Sequence, residues 1–157
     1  MLGLFRLKLF RDDQLGEFRR SSGYWKGSLA ATPPGTFRLA LAGSRKGPNP
    51  IALRLAKELP YRFNSLRQAI QDGVFGHYLP YKEAVDAGEA TGSPCPDISS
   101  PEAFWPLVAP AHVLVEPLQG TPTIEIAFRV AWDIEHTIGA RFQNWRFIEL
   151  NGSVRGL

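Results

Sequence analysis

The sequence predicts an α+β fold: an antiparallel sheet, or two sheets in contact, built from strands at both ends of the chain, with a central helical segment packed on one face. Three observations point there. Apolar and polar residues alternate with period two before residue 42 and again after residue 112. Between them, apolar residues recur at the three- and four-residue spacing of a helix. The order is strands, helices, strands, without the strict alternation of a parallel α/β protein. At 157 residues the chain can bury one real core. It reads as a single domain, with strands over 4–42, helices over 50–108 and strands over 112–151.

The first strand is expected over Leu4–Phe10, with Phe5, Leu7 and Leu9 opposite Arg6 and Lys8. Arg11-Asp12-Asp13-Gln14 turns the chain into a short strand over Leu15–Arg19, and Ser21-Ser22-Gly23 into a third over Tyr24–Leu29. Neither proline of Ala31-Thr32-Pro33-Pro34-Gly35 can donate to a ladder, so the chain breaks there before a fourth strand over Thr36–Ala42. Gly43 to Pro50 is a basic, glycine-containing loop. Its spacing matches no phosphate-binding fingerprint, and Asn49 capping with Pro50 at the first helical position explains it as a strand-to-helix connection. Ile51–Leu59 is helical; Pro60 kinks it or starts a new helix, and a second run covers Arg62–Phe75. Tyr81–Ala87 adds a further turn, and Ala87–Ser100 is a loop. A short helix over Glu102–Val108 is expected to end at Pro110. A fifth strand follows over His112–Glu116. From Thr123 to Asn151, three antiparallel strands are joined by connections at Trp132–Thr137 and Gln143-Asn144-Trp145.

Composition excludes several classes. No apolar run is long enough to span a bilayer, and Arg6 and Lys8 interrupt the N-terminal apolar segment where a secretory signal needs an uncharged core. With a single cysteine, Cys95, no internal disulfide can form, and a cytoplasmic location is expected. The net charge of +3 conceals an asymmetry. Residues 1–82 hold 14 basic and 5 acidic side chains, residues 83–157 hold 4 and 10, so a surface dipole survives only if the halves stay apart.

Asp133, Glu135 and His136 are the residues most able to carry chemistry, since a carboxylate beside an imidazole can act as general base or bind a metal. The other histidines, His77 and His112, lack helical metal-ligand spacing to a partner. The alternative is a structural cluster of Trp132, Asp133, Glu135, His136 and Gly139 that fixes the hairpin register: acids accepting turn amides, His136 bridging to one of them, Gly139 permitting a bulge. On that reading no residue is catalytic and no cofactor or metal is expected. Trp145, in a turn, is the aromatic residue first suspected of anchoring a partner. Arg19, Arg20, Lys26, Arg45 and Lys46 could serve a charged one, nucleic acid included, but they match no nucleic-acid-binding motif and fall on separate elements.

Trp132-Asp133-Ile134-Glu135-His136-Thr137-Ile138-Gly139, followed by Arg146 to Ser153, resembles the final hairpin of a group of uncharacterised bacterial domains, W-D-x-E-H-x-[LI]-G. Leu15-Gly16-Glu17-Phe18 and Trp25-Lys26-Gly27 match two further segments of that group. Some members look like immunity proteins of contact-dependent or type VI toxin systems. The resemblance implies a non-enzymatic binding protein that occludes a cognate toxin, its partner. The alternatives are a small hydrolase or metal-dependent enzyme using Asp133, Glu135 and His136, and a nucleic-acid-binding accessory domain.

Overall fold

A computed structural model describes residues 8–31, 34–90 and 92–157. Eight strands form one sheet: β1 (Leu9–Asp12), β2 (Gly16–Ser21), β3 (Tyr24–Ala31), β4 (Gly35–Leu41), β5 (Val108–Leu118), β6 (Thr121–Val130), β7 (Asp133–Gln143) and β8 (Arg146–Asn151). Their order across the sheet is their order in sequence. All neighbours are antiparallel except β4 and β5, which run parallel. A parallel pair needs a long crossover. Here that crossover is helix α1 (Pro50–Asp86), a loop, and a 3-10 helix over Pro101–Leu107. The expected class, α+β with the helix on one face of the sheet, is the observed one.

The pairing register places Trp25, Leu41, Val115, Ile124, Phe142 and Phe147 in one line across β3 to β8. α1 lays Leu55, Leu59, Phe63, Leu66, Ile70, Val74 and Tyr78 into the same core. Each such side chain contributes about 1.5–3 kcal/mol when removed from water. That stripe explains the main correction to the expected helices. They are not separate: one 37-residue helix runs through Pro60 and Pro80. An interior proline costs about 3 kcal/mol, but the apolar spacing continues in phase across Pro60, and the buried side chains from Phe63 to Tyr78 would leave the core if the helix broke there. Beyond Pro80, partly buried Tyr81 holds the last turns through its bond to Asp133. Asn49 caps it as expected, its side chain accepting from the amides of Ile51 and Ala52.

Other differences are local. The short helix ends at Leu107, and β5 begins at Val108 rather than His112. Pro110 therefore lies in a strand, at a register shift between Pro110 and Val113 where a missing donor is tolerated. The first-strand expectation over Leu4–Phe10 falls partly on residues 4–7, outside the described residues, as do Thr32 and Pro33 of the β3–β4 break; the described β1 starts at Leu9. Among the described residues no helix is long and apolar enough to cross a membrane. Because the strands keep sequence order, the basic N-terminal strands and the acidic C-terminal ones pair only at the β4–β5 seam.

Candidate functional site

Three two-residue hairpin turns lie at one end of the sheet, just beyond the Trp25–Phe147 line: Ser22-Gly23, Gln119-Gly120 and Asn144-Trp145. Both central residues have positive φ in each: 53° and 87°, 51° and 82°, 49° and 61°. This is the backbone that matches strand twist in a tight hairpin, and it favours glycine at the second position. Two of the turns supply glycine; the third supplies tryptophan. The Arg62 guanidinium lies 4.7 Å from the centroid of the Trp145 ring. Beside the half-buried indole, Ile51, Arg54, Leu55, Pro122 and Asn144 line a groove of about 280 Å³. Ile51 is itself 46% exposed. Ion pairs from Arg54 (2.9 Å) and Arg62 (3.3 Å) to Glu58 hold the helix side of the groove.

The basic residues considered with Trp145 do not form one patch with it. Arg19 pairs with Glu17 at 3.2 Å. Arg20, its neighbour along β2, turns to the opposite face of the sheet, where its Nε is buried without a hydrogen bond. Arg45 and Lys46 are exposed in the loop before α1, where the Arg45 carbonyl accepts from Lys8 Nζ at 2.9 Å.

The acid and imidazole residues gather at the other end of the sheet. The β6–β7 connection is a two-residue turn at Ala131 and Trp132, shorter than the expected six-residue connection, and Asp133 already belongs to β7. Register jumps from Arg129 opposite Thr137 to Val130 opposite Asp133, so Ile134, Glu135 and His136 bulge outward. Asp133 is only 5% exposed. Its carboxylate accepts from the Tyr81 hydroxyl (2.6 Å), the His136 backbone N–H (3.3 Å) and His136 Nδ1 (2.9 Å). The Trp132 indole N–H donates to His77 Nδ1 at 3.1 Å, which leaves the His77 proton on Nε2, 3.9 Å from Asp133. Burial alone would raise Asp133, but the bonds from Tyr81 and His136 hold it below the ordinary carboxylate range. The same hydrogen bond, with burial, pushes Tyr81 up to about 12. Burial lowers His77, against the attraction of Asp133.

Asp133 and His136 thus make a carboxylate-oriented imidazole, the arrangement of a general base. Glu135 stays exposed and makes no bond to either. Among the described residues no group of three or more His, Cys, Asp or Glu is placed to hold a metal. Burial raises the Cys95 thiol, away from the thiolate a nucleophile needs. Tyr81 and His77 come from the last third of α1, so the cluster ties that end of the helix to the β6–β7 turn. Gly139 lies outside the bulge, in regular ladder between Ala127 and Asn151. A Cβ there would stand 2.7 Å from Val154 Cγ2 and 2.8 Å from Glu125 Cγ, so the missing side chain makes room for the C-terminal segment.

The sequence reading missed the face of the sheet away from α1. Lys26, Ala40, Leu114, Glu125, Arg141 and Glu149 form a line across β3 to β8. Arg141 donates to both Glu125 and Glu149. Alternation marked these positions as facing away from the core; only register shows them opposite one another.

Residues 42–156 match a domain family of unknown function, DUF6985. No curated protein and no solved structure matches the chain. The family match takes in α1, β5 to β8, the acid–imidazole cluster and the Trp145 turn, and leaves out β1 to β4. With most of its length inside that match, the chain belongs to the DUF6985 family.

Proposed function

We propose that this is a non-enzymatic binding protein that docks a protein partner at the Trp145 end of its sheet, and that the partner is a bacterial toxin which it neutralises by occlusion. The observation that carries the reading is the backbone at Trp145. A bulky residue at φ +61° occupies a turn position that the sister turns fill with glycine. Such a residue costs of order 1–3 kcal/mol and persists where something over-determines it. Tryptophan and arginine beside a small groove part-lined by Ile51, Leu55 and Pro122 form the composition of a binding hot spot. The toxin as partner class rests on the likeness of the 132–139 and 146–153 segments to immunity proteins.

Co-expression with the product of the adjacent gene tests this. A stoichiometric complex and rescue of growth are expected, both lost in Trp145→Gly, whereas growth arrest despite a folded, expressed protein overturns the toxin reading. A second reading, a small hydrolase with His136 as general base, is favoured by the Asp133–His136 bond alone. It requires that His136→Ala abolish a hydrolytic activity while the thermal unfolding profile is kept.

A further inference from the structure

The face of the sheet away from α1 holds a groove of about 590 Å³ that shares no lining residue with the Trp145 turn groove. Ser22 of the β2–β3 turn with Tyr24 and Lys26 of β3 form one wall, and Ser153 and Arg155 of the C-terminal segment contribute to another. Leu114, Glu116, Glu125 and Arg141 lie between. That volume is in the range of sites for small organic ligands, about 300–1,000 Å³.

The charges in this groove are unevenly spent. Glu116 accepts from the Tyr24 hydroxyl at 2.7 Å. Glu125 accepts from Arg141 and, at 3.4 Å, from Asn151 Nδ2. Glu149, at the rim, takes the second arm of Arg141 at 2.8 Å. Each of these three glutamates therefore has a donor. Among the described residues, half-buried Lys26 and exposed Arg155 have no hydrogen-bond or ion-pair partner, though Arg155 lies close enough to Tyr24 to act on its hydroxyl electrostatically. The Lys26 stem packs along the groove while its ammonium remains open to solvent and to an incoming anion. Behind Glu125 on the same face, His112 is 6% exposed and its Nε2 has no partner. The side-chain charge left unpaired in the groove, that of Lys26 and Arg155, is cationic.

We propose that this groove binds a small organic anion, its carboxylate or phosphate oxygens held between Lys26 and Arg155 over Leu114. The fixed Glu125–Arg141–Glu149 ladder keeps the floor from supplying a competing internal counter-ion. Tyr24, locked by Glu116, offers an aromatic edge to the rest of the ligand. Because the site shares no residue with the Trp145 groove, it stands or falls apart from the docking reading.

Calorimetric titration of the full chain with citrate, inorganic phosphate and ADP tests the assignment, with Tm measured in parallel. Saturable one-to-one binding by at least one of them is expected, weakened tenfold or more in Lys26→Gln and again in Arg155→Gln, with unfolding of the free variants unchanged. Binding of citrate alone identifies a carboxylate ligand; binding of phosphate or ADP identifies a phosphorylated one. No saturable binding by any of the three, or binding that Lys26→Gln/Arg155→Gln leaves intact, overturns the proposal.

Discussion

Position 145 offers a test in which the usual ranking of alanine and glycine is reversed. In most element interiors glycine is less stable than alanine by about 0.5–1 kcal/mol because it loses more backbone freedom on folding. At φ +61° an alanine Cβ meets the following carbonyl, at roughly 1–2 kcal/mol, and glycine does not. Trp145→Gly should therefore be more stable than Trp145→Ala by about 1 kcal/mol, or roughly 2–4 °C in Tm for a chain of this size. Against the native residue, glycine regains the backbone strain but loses a half-buried indole, about 1–1.5 kcal/mol. It also loses the Arg62 contact, about 0.5–1 kcal/mol. The glycine variant should fall within about 1 kcal/mol of the native protein, well short of the ~3–5 kcal/mol expected for truncating a fully buried tryptophan such as Trp25. Urea denaturation of the three proteins measures these differences. An alanine variant as stable as the glycine one would refute the strain argument. If Trp145 is the anchor, both variants should also lose about 2 kcal/mol or more of partner affinity, some thirtyfold.

Gly139→Ala should destabilise by about 1–3 kcal/mol because its Cβ collides with Val154 and Glu125. Val154→Ala in the same chain should recover part of that, which a double-mutant cycle by urea denaturation reads directly. Arg141→Met should cost on the order of 3 kcal/mol by stranding the buried Glu125 carboxylate, and adding Glu125→Gln should recover much of it. His77 and His112 are both held below the ordinary histidine value, first by burial. The unfolded chain then takes up protons before the folded one, so their contribution is complete above about pH 6.5 and declines as pH falls from there. Asp133, depressed, adds a further loss below the ordinary carboxylate range. The urea midpoint should fall from about pH 7 to about pH 5, and His112→Gln should flatten part of that slope.

The strands were legible wherever a run alternated cleanly, as in Phe37, Leu39, Leu41 or Ile124, Ile126, Phe128. Alternation says which face a residue takes but not which strand lies beside it, so neither the parallel β4–β5 pair nor the opposition of Glu125 and Arg141 could be read. Pro60 misled because local propensity argues for a stop, and only the continuing stripe from Leu55 to Tyr78 argues against it; past Pro80 the helix is held by Tyr81 on Asp133, a contact no local pattern shows. Pro110 looked like a helix end because its register shift is invisible without the partner strand. At the acid–imidazole cluster, His136 bridges to Asp133 as the residue types suggest. Tyr81, His77 and the indole of Trp132 entered from a helix far away in sequence, which no local pattern announces. Asn144 hinted at a tight turn; nothing in the sequence told that its companion would be held with positive φ.

The lone parallel seam also has a kinetic consequence. Strands adjacent in the sheet are adjacent in the chain everywhere but at β4–β5, so most pairing requires only short closures and can proceed in two independent hairpin arrays. Joining them demands a loop closure spanning the whole helical crossover, with the entropy that entails. The rate-limiting event should be the zipping of Leu39 and Leu41 against Val113 and Val115, and substitutions along that seam should slow refolding more than equally severe ones at either edge of the sheet.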